Sequence, residues 1–298
     1  MIFCFWRRWR RRVQPNWYRR VILELEEYEK RIVPSWTPAG PAPQLQGERD
    51  LAGQWTQDTT GCITALAVGQ YGDKPALFVG AAGGGVWRST DFATTDHPTW
   101  TPLTDKLTEA IFNPTTGFGT GAINVGAIAV DPKDENIIYV GTGEGDGTNT
   151  PGSGGTGVFR STNGGDTFQL LGPADTTNPF FRRSVTKIIV DPLQSKYIYA
   201  AVVNPGWPVT TAGGPPKDWT DGRQGIYRFD TSAGAGANWT QINTGPIFGG
   251  NIRVTDMDYT SGGGSETLYA GVGWTSAAAN GIWISSTTTC CCPWPQVR

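Results

Sequence analysis

Histidine is nearly missing from this chain, with His97 the single one among 298 residues. Ser-His-Asp and Cys-His machinery needs an imidazole to accept the nucleophile's proton, so nucleophilic triads are disfavoured from the outset. Cysteine is scarce as well, at five. Cys4 and Cys62 stand apart, whereas Cys290, Cys291 and Cys292 are adjacent. That run lacks the separated spacing of a zinc site, and neighbouring cysteines rarely pair with one another. No disulfide framework follows. Nor does any stretch approach the roughly 20 apolar residues of a membrane-spanning helix. The N-terminus reads poorly as a secretory signal, because six residues precede the first arginine and a signal places its apolar stretch after the charges.

Glycine and proline are plentiful, at 41 and 21 residues. They punctuate a pattern that occurs four times. ITALAVGQYGDKPALFVG with GVWRST and WTPL is the first copy, and VGAIAVDPKDENIIYVG with GVFRSTNGGDTF and QLL is the second. The third is VTKIIVDPLQSKYIYAA with GIYRFD and WTQI; the fourth is VTDMDYTSGGGSETLYAGVG with GIWISS and WPQV. Each copy holds four short runs of β-branched and aromatic residues separated by Gly, Pro, Asp and Asn, which is the signature of four strands joined by turns. Four-stranded units in tandem predict an all-β fold, a β-propeller of four-stranded antiparallel blades with about four blades present. The blades fall at about 62–104, 124–172, 184–243 and 252–298, within a propeller domain spanning 50–298. Trp87, Phe159, Tyr227 and Trp283 occupy one position of the third run, and Trp100, Phe168, Trp239 and Trp294 open the fourth. Large rings in register are what stacked sheets need to fill the wedge between blades.

Residues 1–49 stand outside the repeat. FCFWRRWRRR is basic and aromatic, VILELEEYEKRIV suggests a short charged helix, and PSWTPAGPAPQLQG reads as a Pro-rich linker. The arm is therefore expected to be basic and either helical or disordered. Residues 1–20 hold seven arginines and no acid, leaving 17 basic against 26 acidic residues elsewhere. An arm of that charge suits a membrane surface or a partner, contacted through residues 1–33, while the acidic body argues against nucleic acid. QWTQ (54–57) resembles a fourth strand placed before the first blade. Should WPQV form the last strand of blade 4, Trp55 belongs to a blade this chain lacks and the chain is part of a larger propeller; otherwise Trp55 closes a four-bladed ring.

Ser161, Asn163, Gly165, Asp166 and Phe168 lie in STNGGDTF, which resembles the Asp-box hairpin Ser-x-Asp-x-Gly-x-Thr-Trp, with Asn163 for the Asp and Phe168 for the Trp. Ser89-Thr90-Asp91 keeps the acid but inserts residues before Trp100; copies three and four have lost the motif. With AVDP…IIYVGTGEG and AAGGGVWRST, the chain resembles BNR-repeat propellers of the sialidase/xyloglucanase/sortilin-like superfamily over about residues 52–289. That resemblance implies an exported or cell-surface protein, with Asp-box turns that are structural and lie away from the ligand face.

Strand alternation puts the second-to-third loops and the blade-to-blade connections on one face. Those loops grow irregularly, at 81–85, 142–157, 204–225 and 273–281, and variable loops on a rigid scaffold are where binding concentrates. They carry Trp207, Trp219 and Trp274 with Arg223, and the connections add Phe180, Phe181, Arg182 and Arg183. Aromatics beside charged and amide groups suit sugar, since a ring packs on the pyranose face. The leading expectation is a non-catalytic propeller binding glycan or protein through this face. One alternative is a glycoside hydrolase with Glu144 and Asp221 as its carboxylate pair. Against it, AAGGG (81–85) stands where xyloglucanase-like enzymes carry an Asp, and no arginine triad with a Tyr nucleophile is evident. Another alternative is a scaffold subunit docked through the arm. No organic cofactor is implied; Glu144 and Asp146 on a Gly-rich loop make a candidate calcium site. Oligomeric state is left open.

Overall fold

The chain divides into two units, residues 1–39 and 40–298. In a computed structural model the described residues are 44–49, 55–59, 62–105, 107, 113, 115, 119, 124–145, 154–204, 223–242, 253–262, 265–273, 281–285 and 296–297. All belong to the second unit, so the arm and charged helix expected in residues 1–33 lie outside them. The second unit opens with a hairpin in which β1 (Gln44–Arg49) pairs antiparallel with β2 (Trp55–Thr59). This corrects one expectation: the end of the supposed linker is a strand, and it is there that Trp55 pairs.

Four four-stranded antiparallel sheets follow, each a simple meander. Blade 1 is β3 (Ile63–Tyr71), β4 (Lys74–Ala81), β5 (Gly85–Ser89) and β6 (Thr101–Pro102). Blade 2 is β7 (Val125–Asp131), β8 (Asp134–Thr142), β9 (Val158–Ser161) and β10 (Gln169–Leu171). Blade 3 is β11 (Ser184–Val190), β12 (Tyr197–Val203), β13 (Gly225–Asp230) and β14 (Thr240–Gln241). Blade 4 is β15 (Val254–Gly262), β16 (Ser265–Val272), β17 (Gly281–Ser285) and β18 (Gln296–Val297). The WPQV segment thus supplies the last strand of blade 4, as the first of the two branches required.

The register repeats residue by residue. Leu66, Val79, Trp87 and Pro102 lie side by side across blade 1. Their equivalents are Ile128, Val140, Phe159 and Leu170; Ile188, Ala200, Tyr227 and Gln241; and Met257, Ala270, Trp283 and Gln296. Every first strand also carries one extra residue near its start, at Thr64, Gly126, Thr186 and Thr255, a β-bulge that sharpens the local twist.

The core lies between the sheets. Val86, Val125, Val140 and Phe159 fill the layer between blades 1 and 2. Phe180, Val185, Ile188, Tyr227, Phe229 and Trp239 dominate the next layer, and Val254, Met257, Leu268 and Trp283 the last. Polar latches tie the layers together. Thr64 Oγ1 donates to the Val125 carbonyl at 2.6 Å, and Thr186 Oγ1 donates to the Val254 carbonyl at 2.8 Å. At Gly126 there is no room for a side chain, because a Cβ would collide with the Gly143 and Val185 carbonyls. Arg88 of blade 1 is buried and reaches into blade 2, donating to the Gly164 carbonyl at 2.6 Å and Asp166 Oδ1 at 2.9 Å while stacking on Tyr71.

Candidate functional site

The turn face is built by short polar circuits. Ser161 Oγ donates to Asn163 Oδ1 at 2.8 Å and accepts the Gly165 amide at 2.9 Å. Asn163 Oδ1 also accepts the Thr167 amide, at 3.0 Å, and Asn163 Nδ2 donates to Thr167 Oγ1. Gly164 and Gly165 both take positive φ, which glycine alone adopts without strain. Phe168 is half-buried against the layer between blades 1 and 2. In blade 1, Asp91 accepts from Ser89 Oγ at 2.8 Å and from the Thr99 amide at 2.9 Å, so the acid spans the inserted residues. These circuits close turns by side chain to backbone bonds. Blade 3 uses another device, with Asp230 capping a short 3-10 helix, Thr231–Ala233.

The opposite face gathers the second-to-third loops and blade connections. Its best-defined part is where three blades meet around Glu144. Gly143 leaves β8 with φ 92° and lies so close to the connection into blade 3 that a Cβ would meet the Arg183 carbonyl, the Gly155 amide and Ser184. Gly155 and the connection bond reciprocally, the Gly155 amide to the Arg183 carbonyl at 2.7 Å and the Arg182 amide to the Gly155 carbonyl at 2.9 Å. Beneath them the buried Thr142 hydroxyl accepts the Thr156 and Gly157 amides and donates to the Gly157 carbonyl. Arg253, just ahead of blade 4, donates Nη2 to the Gly145 carbonyl at 2.9 Å. Glu144, between Gly143 and Gly145, is half-buried.

Arg182 is the one non-glycine residue of positive φ among the described residues, at 58°. Its side chain is exposed, with the guanidinium 5.1 Å from the Phe181 ring centre. Left-handed backbone costs a non-glycine residue on the order of 1–3 kcal/mol and persists where surrounding structure enforces it. The Gly154–Gly155 backbone does so here, because a Cβ at Gly154 would lie 3.0 Å from Arg182 Cα.

The expected site residues separate into three groups. Glu144, Arg182 and Arg183 converge at this junction; Arg183 is fully buried and donates Nη1 to the Arg182 carbonyl. Phe180 was expected to bind ligand and instead belongs to the core: it is fully buried, edge-on to Trp239 at 4.6 Å and to Tyr227 at 5.4 Å. Phe181 is likewise buried and underlies the Arg182 guanidinium. Arg223 is half-buried at the start of blade 3's third run, its carbonyl accepting the Tyr227 hydroxyl at 2.9 Å. Asp146, Trp207, Trp219, Asp221 and Trp274 lie outside the described residues. Among the described residues no three His, Cys, Asp or Glu side chains gather into a metal site. Arg253 escaped the sequence reading, although an arginine stands just ahead of the first strand in blades 3 and 4 alike.

Fold and site together define a β-propeller array with a polar, arginine-rich loop face. No family model matches the chain, and no curated protein does. Among solved structures it is similar to an ancestral GH74 enzyme (TM-score 0.47, 13% identity, covering 78% of this chain and 28% of that one). It is also similar to the GH74 xyloglucanase from Xanthomonas campestris (0.37, 14%, 79% and 37%) and to a thermostable family-43 glycoside hydrolase (0.38, 11%, 80% and 72%). The chain thus spans well under half the length of either GH74 structure.

Proposed function

We propose that the chain is a non-catalytic, polysaccharide-binding β-propeller acting at the cell surface or outside the cell, with Glu144 and Arg182 at the centre of its binding face. One observation carries this reading: Arg182 is held exposed in a strained backbone conformation on a floor of glycines tied by buried hydrogen bonds, at the junction whose adjoining loop carries the half-buried Glu144. A guanidinium and a carboxylate carried on one loop junction suit sugar hydroxyls, one donating and the other accepting. The turn circuits at Ser161–Phe168 and Ser89–Thr99 support reading them as Asp-box turns, which leaves the loop face for ligand.

Affinity electrophoresis through gels of xyloglucan, arabinan and a polyuronate, with reducing ends measured in parallel, tests the proposal. Retardation without new reducing ends is expected, weakened at least tenfold in Glu144→Gln and Arg182→Gly. Arg182→Gly relieves the backbone strain, so it should fold at least as stably as the parent, separating loss of binding from loss of fold. Unretarded migration in all three gels sinks the binding reading. New reducing ends that vanish with Glu144→Gln favour the glycoside hydrolase instead.

A further inference from the structure

We propose that blades 1 and 4 expose complementary faces, and that each is covered by the opposite face of a second copy of this chain, joined head to tail.

The three internal blade interfaces share one construction. The first residue of the incoming strand is sealed, Val125, Val185 and Val254 being at most 1% exposed. Beside it, Ile128 and Ile188 pack on glycines of the preceding blade: a Cβ at Gly80 would lie 3.1 Å from Ile128 Cδ1, and one at Gly141 would lie 3.1 Å from Ile188 Cδ1. Met257 shares a buried cluster with the equivalent Ala201. The bulge hydroxyls of Thr64 and Thr186 bond forward to the first carbonyl of the next blade.

Both halves of this construction stand open at the ends of the array. On blade 1 the incoming positions are Ile63, Leu66 and Val68, which are 43%, 64% and 62% exposed, whereas Ile188 and Val190 are 4% and 6% exposed. On blade 4 the receiving glycine is Gly271, where, among the described residues, the three atoms nearest a Cβ all belong to blade 4 itself, at 3.6 Å or more. The bulge residue there is Thr255, exposed, its hydroxyl bonded to the Gly271 carbonyl of its own blade, the bond that Thr64 makes to Gly80 in addition to its forward one. Among the described residues both faces are open, and the two do not close on each other. The occupant of blade 4's face must present an aliphatic strand whose first carbonyl can receive the bulge hydroxyl, as Val125 and Val254 do. Blade 1 presents that strand, and the occupant it needs in turn is blade 4. Exposed aliphatic rows of this kind are characteristic of interaction surfaces. A head-to-tail contact closes into a ring if the rotation completes and otherwise propagates.

Sedimentation velocity on the whole 298-residue chain over a wide concentration range is the test. The expected result is a species at twice the 32.1 kDa of one chain, or larger, dissociating on dilution. Leu66→Asp and Gly271→Trp each alter one end and should weaken association at least tenfold. Both positions are open in the single chain, so unchanged melting curves should confirm intact folds. Mixing the two variants should restore a 1:1 pair, because each retains the face the other has lost. Sedimentation as a single chain throughout overturns the proposal and assigns the faces to another occupant, such as further blades of a longer chain. Association that survives in both variants, or that mixing fails to restore, also overturns it.

Discussion

Single side chains in this protein work mostly by closing turns and bridging layers. Asp91 shows the first role. The Ser89 hydroxyl and then the Thr99 amide hold its carboxyl below the ordinary 3.8. A carboxylate depressed in the folded state contributes stability that is present above the ordinary value and is lost as pH falls through the depressed one. Carboxyl titration by NMR should therefore place its midpoint below 3.8, and Ser89→Ala should move it back up; a midpoint unmoved by Ser89→Ala would remove the hydroxyl as the cause. Arg88 shows the second role. Replacing it with Met leaves the Gly164 carbonyl without its charged donor and strips the stacked guanidinium from Tyr71, for an expected cost of about 2–3 kcal/mol in urea unfolding. Asp166→Ala should cost about 1 kcal/mol or less, because Asp166 is 45% exposed and its half of the pair is screened by water. Equal losses would contradict this division.

At the level of strands, the blades were legible because short β-branched and aromatic runs, broken by Gly, Pro, Asp and Asn, recur four times in the same order. The register of Trp87, Phe159, Tyr227 and Trp283 could be read directly. The bulge was not legible. The pairs Ile63-Thr64, Val125-Gly126, Val185-Thr186 and Val254-Thr255 recur visibly, yet an extra residue is defined only against its partner strand, which sequence does not supply. Phe180 was misread for a related reason: it lies in a connection outside the repeat, so nothing marked it as core until Tyr227 and Trp239 closed around it. The bulge carries its own prediction. Thr186→Val keeps the shape and removes the latch to Val254, for about 1 kcal/mol. Gly126→Ala, with no space for a methyl group, should cost several times more, whereas Gly236→Ala, open on all sides, should stay within about 0.5 kcal/mol. Urea midpoints of the three variants rank them, and Gly126→Ala matching Gly236→Ala would refute the packing account.

For the array as a whole, the core layers join neighbouring blades, and stability becomes approximately a sum of blade terms and interface terms. Blades 2 and 3 are covered on both faces, whereas blades 1 and 4 each show one face to water. Hydrogen exchange at concentrations where the chain is single should therefore protect Ile188–Val190 and Val140 well beyond Leu66–Val68, and uniform protection across the four sheets would show a single cooperative unit instead. The openness of the ends was outside what the repeat could reveal, since a repeat states how blades resemble one another and not whether the last returns to the first. The forward-bonding threonine has a consequence for how such arrays change length. Both halves of the seam sit on adjacent residues, Thr186 carrying the hydroxyl that reaches the next blade and Val185 the aliphatic side chain that packs on the previous one. A blade copied in tandem would arrive with its own plug and its own socket, so lineages could gain or shed whole blades without a single compensating substitution at the seams.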